Sequence, residues 1–230
     1  MRTQFSKIAL AAGIMLAMAF TFSCSSGSGD DNNGGNGGGS CSINGGTVKI
    51  GSQTWMAENL NCNVAGSKCG GTDQQTGEDE GHLYTYYPLE DKNTVNCDKY
   101  GRLYNWVAAK SACPSGWHLP SDDEWEVLVN FVGGASTAGT KLKATSGWYN
   151  DGVDGNGTNE SGFSALPSGA GYSDGDFSVF NDDGIRGYWW SASEYNSHDA
   201  YLRDMSYSRE YVNHYYYDKS SFYSVRCIKD

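Results

Sequence analysis

The sequence predicts an α+β fold: a twisted antiparallel sheet with two flanking helices and long irregular loops. Three observations carry that expectation. Short β-rich runs lie towards both ends of the globular part. Two helical signals stand between them, the second with its own capping residues. Gly (31 residues) and aromatics (13%) are abundant while Pro is scarce (4), which suits short strands, many turns and large rings packed against backbone.

The chain opens on a segment outside that fold. Met1 to Ser23 has the organisation of a secretory signal: Arg2 and Lys7, then the apolar run "IALAAGIMLAMAF", which is short for a membrane span. The run ends in "TFSCSS". Small residues beside Cys24 resemble a bacterial lipobox, with Thr21 where Leu is usual, so Cys24 is the expected lipidation site. Ser25 to Ser40, "SSGSGDDNNGGNGGGS", has no apolar residue and cannot build a core. The expected organisation is a signal over 1–23, a flexible tether over 24–45 and one globular domain over 46–230. An exported lipoprotein of the bacterial outer membrane, facing the cell surface, fits that plan.

Within the domain, "GGTVKIGSQTWMAENLN" predicts strand, Gly-led turn and strand. Cys62 to Gly81 is polar and Gly-rich, a predicted loop. A short helix is expected over Asn105 to Ala112, ended by Pro114. "SDDEWEVLVNFVGG" is the clearest helix. Ser121 and Glu124 form a capping box, and Asp122 and Asp123 favour the positive end of the dipole. Trp125, Leu128, Val129 and Val132 make one apolar stripe, and Gly133 and Gly134 end it. Thr140 to Arg186 is predicted to be loop. From Gly187 onward, "GYWWSAS", "AYLRDMSYS", "EYVNHYYYD" and "SFYSVRCIK" predict an antiparallel meander.

Charge narrows the partners. The formal net charge is −11, and loss of Arg2 and Lys7 with the leader takes it to −13. A nucleic-acid-binding chain needs a basic face, and anionic lipid attracts basic segments, so neither partner is expected. Membrane attachment would come through the lipid anchor alone. With Cys24 lipidated, six of the seven cysteines remain, enough for three disulfides with fifteen connectivities. No CxxC pair occurs and the four His residues are scattered, which disfavours a zinc site.

"TVKIGSQTWMAENLN", "YGRLYNW", "ACPSGWHLPSDDEWEVL", "LKATSGW", "NGTNESGFSALPSGAGY", "YWWSASE" and "SVRCIKD" follow one another in that order. Together they resemble the Fibrobacter succinogenes major paralogous domain family, over about Gly46 to Asp230. That family resembles a branch of the C-type lectin-like and formylglycine-generating-enzyme superfamily, so the resemblance implies a C-type lectin-like fold. It also implies a disulfide from Cys113 to Cys227, which should stabilise by roughly 4–5 kcal/mol in the chain-entropy model. Cys62 or Cys69 remains to pair with Cys97.

Catalytic signals are weak, and a non-enzyme is expected. Formylglycine-generating enzymes use closely placed C-terminal cysteines, whereas the last third of this chain holds Cys227 alone. Ser168 in "LPSGAG" lacks a nucleophile-elbow context. Asp122, Asp123 and Glu124 are explained by helix capping, and His118 by the turn it occupies. No cofactor is required. Calcium is the single candidate, through oxygens of Asp151, Asp154, Asn156 and Glu160 in "NDGVDGNGTNE", a stretch that also suits plain Asx- and Gly-rich turns.

The segment from Glu194 to Ser220 is the strongest functional signal. Of its 27 residues, 18 are Tyr, Asn, Ser, His or Asp. Tyr tolerates half-burial in strands, which accounts for some of them. The narrow alphabet as a whole is that of a binding surface: Tyr gives rigid amphipathic area, and Ser and Asn give adaptable hydrogen bonds. Candidate contacts are Tyr195, Asn196, His198, Asp199, Tyr201, Arg203, Tyr207, Arg209, Tyr211, Asn213, His214 and Tyr216, some of which strand alternation should turn inward. The C-type lectin-like resemblance extends to the variable proteins of diversity-generating retroelements. Those proteins diversify C-terminal positions by mutating adenines in Asn codons, which yields this alphabet. The expected ligand is a protein or glycan on a neighbouring surface. A carbohydrate-binding module using exposed Trp and Tyr, and a structural envelope protein, are the alternatives.

Overall fold

A computed structural model describes residues 41, 45–79, 82–152, 154–174 and 177–230 of the chain. The signal, Cys24 and most of the tether lie outside the described residues.

The first predicted hairpin is present. β1 (Thr47–Ile50) pairs antiparallel with β2 (Gln53–Met56), and Gly51 turns the chain at φ 61°. The next stretch corrects the predicted loop over Cys62 to Gly81, because it contributes β3 (Ser67–Gly70) and β4 (Gln75–Asp79). Their few apolar residues gave no alternation to read. Pairing with β5 (His82–Glu90) makes them strands, antiparallel in both cases.

Among the described residues four helices form where two were expected. α1 (Val95–Tyr100) starts at Thr94 with no side-chain cap. It is followed by β6 (Leu103–Tyr104). α2 (Trp106–Ala112) begins where predicted, with Asn105 accepting from the Ala108 amide. After β7 (Trp117–His118) comes α3 (Asp122–Phe131), whose capping box is complete: the Glu124 amide donates to Ser121 Oγ, and the Ser121 amide donates to Glu124 Oε2 at 2.7 Å. All four residues of its stripe are buried. α4 (Ala135–Leu142) starts at Gly134 without a side-chain cap, so its sequence carries no start signal. Packing holds it instead. A Cβ on Gly139 would lie 2.6 Å from the Glu210 carbonyl oxygen, so only glycine permits that approach.

Thr140 to Arg186 is the second loop prediction to need correcting. It contains β8 (Ser168–Asp174) and β9 (Phe177–Asp183), an antiparallel hairpin. β10 (Arg186–Glu194), β11 (Asp199–Ser206) and β12 (Asn213–Asp218) then form the predicted antiparallel meander. β13 (Tyr223–Ser224) leaves that pattern. It runs parallel to β10 and inserts between β10 and β6. β14 (Ile228–Lys229) returns to pair with β2 and β7. The result is two sheets in place of the expected one: β1-β2-β14-β7, and a large mixed sheet whose path runs β12-β11-β10-β13-β6-β3-β5-β9-β8. The α+β class stands.

β10 separates two cores. Tyr188 and Trp190 point into one, against α2 residues Trp106, Ala108 and Ala109. Trp189 points into the other, with Trp125, Leu128 and Val129 of α3. Each buried indole finds an acceptor: Trp190 Nε1 donates to the Tyr104 carbonyl and Trp189 Nε1 to Asn59 Oδ1, both at 2.8 Å. Three disulfides brace the domain: Cys41–Cys62, Cys69–Cys97 and Cys113–Cys227. The last is the bridge implied by the resemblance. Cys69, and not Cys62, takes Cys97. Among the described residues no helix is long and apolar enough to cross a membrane.

Candidate functional site

β12 is the outer strand of the large sheet, and all six of its side chains are exposed. A strand commonly buries one of its two faces, and this one buries neither. Its register with β11 places Tyr216 beside Tyr201, His214 beside Arg203, Tyr215 beside Leu202 and Asn213 beside Asp204. Alternation therefore divides the edge into two faces.

On the first face, Tyr195 from the β10–β11 turn lies flat against Tyr216, with centroids 3.7 Å apart and 11° between planes. Tyr195 also meets Tyr201 edge-on at 5.5 Å, and Tyr201 meets His214 at 4.8 Å. His214 Nε2 is 3.2 Å from Asp122 Oδ1. The turn beneath is held by Asn196, whose Oδ1 accepts from the amides of His198 and Asp199. The neighbouring Tyr195 hydroxyl, which hydrogen-bonds it, raises the Tyr216 pKa.

The second face opens on a cavity of about 320 Å³. Tyr172, Tyr215 and Tyr217 wall it, and Tyr188, Leu202 and Tyr223 form its floor. Arg186, Asp204 and Asn213 supply its polar groups. Burial raises the pKa of Asp204, against the opposing pull of Asn213 and Arg186. Burial also pushes the Tyr188 and Tyr223 phenols well above their ordinary value.

The twelve candidate contacts do not form one patch. Tyr195, Asn196, His198, Asp199, Tyr201, His214 and Tyr216 gather at the first face and its adjoining turn. Asn213 faces the cavity. Tyr207, Arg209 and Tyr211 sit at the far end of the hairpin, where Tyr207 OH donates to Asp151 and Arg209 stacks over Tyr211. Arg203 is corrected outright. It is 1% exposed and ion-paired with Asp122, so it anchors α3 to the sheet and is closed to a ligand.

The Fibrobacter succinogenes major domain model matches residues 48–229. The chain belongs to that family. No curated protein and no solved structure matches it.

In this family domain the four calcium candidates are not brought together. Asp154 Oδ1 accepts from the amide and side chain of Asn156, and Asn156 Oδ1 accepts from the Trp148 amide. Asp151 accepts from Tyr207, and Glu160 lies 3.9 Å from Lys141. A local turn absorbs Asp154, longer-range partners take Asp151, Asn156 and Glu160, and the described residues contain no cluster of His, Cys, Asp and Glu suited to a metal. Ser168 Oγ is buried 2.8 Å from Ser224 Oγ. His118 is clasped between Asp230 and Glu124. Exposed tryptophan is not available to a ligand either, since six of the seven are buried and Trp117 is half-buried. The sequence reading missed Tyr172, Arg186, Tyr188, Asp204, Tyr215, Tyr217 and Tyr223. Tyr172 and Arg186 lay in the predicted loop. Cavity residues on five different strands become neighbours only through the sheet register.

Proposed function

We propose that this family member is a non-catalytic, surface-displayed binding lipoprotein of the outer membrane, anchored through Cys24 and recognising its ligand with the tyrosine-bearing edge of the large sheet. One observation carries the reading. A six-residue edge strand exposes every side chain, and Tyr215, Tyr216 and Tyr217 keep 38–55% of their surface open to solvent. Large rings held rigid and left uncovered are what a contact surface uses. The ligand class is a protein or glycan on a neighbouring surface.

A C-type lectin-like arrangement is the finer fold reading. The Cys113–Cys227 bridge and a C-terminal strand inserted into the sheet interior support it. Retroelement diversification of the edge belongs to the same proposal. It is supported by the position of the narrow-alphabet residues on an exposed turn and strand, where substitution costs the core little.

Cells displaying the full chain, applied to glycan arrays and to intact neighbouring cells, test the function. Tyr195→Ala with Tyr216→Ala should weaken capture at least tenfold with the fold retained. Unchanged capture with lowered stability would instead indicate a structural envelope protein. Sequencing the gene's flanks tests diversification: a near-copy of the Glu194 to Arg226 coding region differing at adenines is the expected finding, and its absence leaves a module of fixed specificity.

A further inference from the structure

The cavity behind β12 shares Tyr215 and Tyr217 with the edge proposed above but opens on the face opposite Tyr195 and Tyr201, and its chemistry can be tested apart from theirs. It is already organised. Tyr188 stacks on Tyr223 at 5.2 Å, Tyr172 meets Tyr217 at 5.8 Å, and Tyr217 meets Tyr223 at 6.2 Å. Tyr188 OH donates to Asp182 Oδ2 at 3.1 Å, which fixes the floor ring. Rings that brace one another lose little freedom when a ligand arrives.

Charge selects the class of ligand. Arg186 and Asp204 are the two charged groups among the described residues lining the cavity. They are opposite in sign, and each is electrostatically favourable to the other. An anion would have to compete with Asp204, and a cation with Arg186, so neither finds an unopposed partner. A neutral ligand meets no such opposition. The polar groups offer both hydrogen-bonding senses: Asp204 accepts, Arg186 donates, and Asn213 and the phenols do both. Vicinal hydroxyl groups, which each donate and accept, match that set. The flat walls match a ring with an apolar face. The volume, about 320 Å³, lies at the small end of ligand clefts, which run from about 300 to about 1,000 Å³.

We infer that this cavity binds a neutral pyranose unit of a glycan, stacked against Tyr215 and Tyr217 and hydrogen-bonded by Asp204, Asn213 and Arg186, without a metal ion. A single carboxylate lines the cavity among the described residues, too few oxygens of the right kind to hold calcium.

The full chain would be titrated, by saturation-transfer NMR and calorimetry, with the methyl glycosides of glucose, galactose, mannose and N-acetylglucosamine, and with cellobiose and maltose. Glucose 6-phosphate and a blocked lysine serve as charged probes. At least one neutral probe should bind with a millimolar Kd, what a ligand of about a dozen heavy atoms commonly reaches. EDTA should leave that binding unchanged. Tyr217→Ala and Asn213→Ala, both at exposed positions, should each weaken it about tenfold or more. Tyr195→Ala on the other face should not. Asp204→Asn, which removes one of the two carboxylates acting on Arg186 and leaves Asp182, should raise the affinity for glucose 6-phosphate. The inference is overturned if no neutral probe binds below about 20 mM, if EDTA abolishes binding, if Tyr217→Ala binds like the parent, or if a charged probe binds the parent more tightly than every neutral one. Loss of capture by the first face leaves it standing, because the two faces are probed by different variants.

Discussion

Lys143 shows how a single buried residue can tie remote loops together. Its ammonium is buried and donates to the carbonyls of Gly155 (2.8 Å), Ser206 (3.1 Å) and Arg209 (3.0 Å), with Trp148 below it. It joins the end of α4, the Asx-rich loop that held the calcium candidates and the β11–β12 connection. Burial lowers its pKa. Nothing in the sequence distinguishes Lys143 from an exposed lysine, because the carbonyls that define it come from two remote segments. His118 is the residue with a pH consequence. Burial by itself would lower its pKa, but hydrogen bonds to Asp230 Oδ1 (2.7 Å) and Glu124 Oε1 (2.9 Å) outweigh it and raise it above the ordinary 6.5. A raised histidine stabilises the fold fully below its ordinary pKa and loses that contribution as pH climbs through the folded value. Melting temperature should therefore fall from about pH 6 to about pH 8 in the parent, and by less in His118→Gln. Parallel curves for the two proteins would show that the clasp carries no linkage.

Elements were legible where a local signal marks them. α3 was readable to within a residue because its capping box, its stripe and its terminal glycines are adjacent in the chain. α2 was readable from Asn105 and Pro114. α4, β8 and β9 were not. α4 has no cap, and the two strands gain their identity from pairing with each other and with β5 and β10. The meander β10 to β12 was visible, but the insertion of β13 beside β10 was hidden, since parallel pairing across the sheet leaves no trace in a two-residue strand. The capping box can be tested by itself. Ser121→Ala should cost about 1 kcal/mol, or about 2–4 °C in a domain of this size, measured by thermal unfolding. An unchanged melting temperature would mean that His118 and Glu124 hold the first turn without the serine.

At the scale of the molecule, the fold buries six of its seven tryptophans and sets five open tyrosines along one edge. Six indoles are buried and bonded, while Tyr195, Tyr211, Tyr215, Tyr216 and Tyr217 stand open at the hairpin formed by β11 and β12 and its turns. The narrow C-terminal alphabet foretold that surface, but not its division into two faces or the cavity behind it, because both depend on strand register. The central claim is that these rings are held out for contact and are not misplaced core. Thermal unfolding of the Tyr195→Ala, Tyr216→Ala double variant tests it most directly. Removing the stacked pair should cost about 1 kcal/mol, the worth of one aromatic contact, and lower the melting temperature by no more than about 4 °C. A fall of about 10 °C or more, the signature of truncating a core aromatic at about 3–5 kcal/mol, would contradict it and make the edge a structural element.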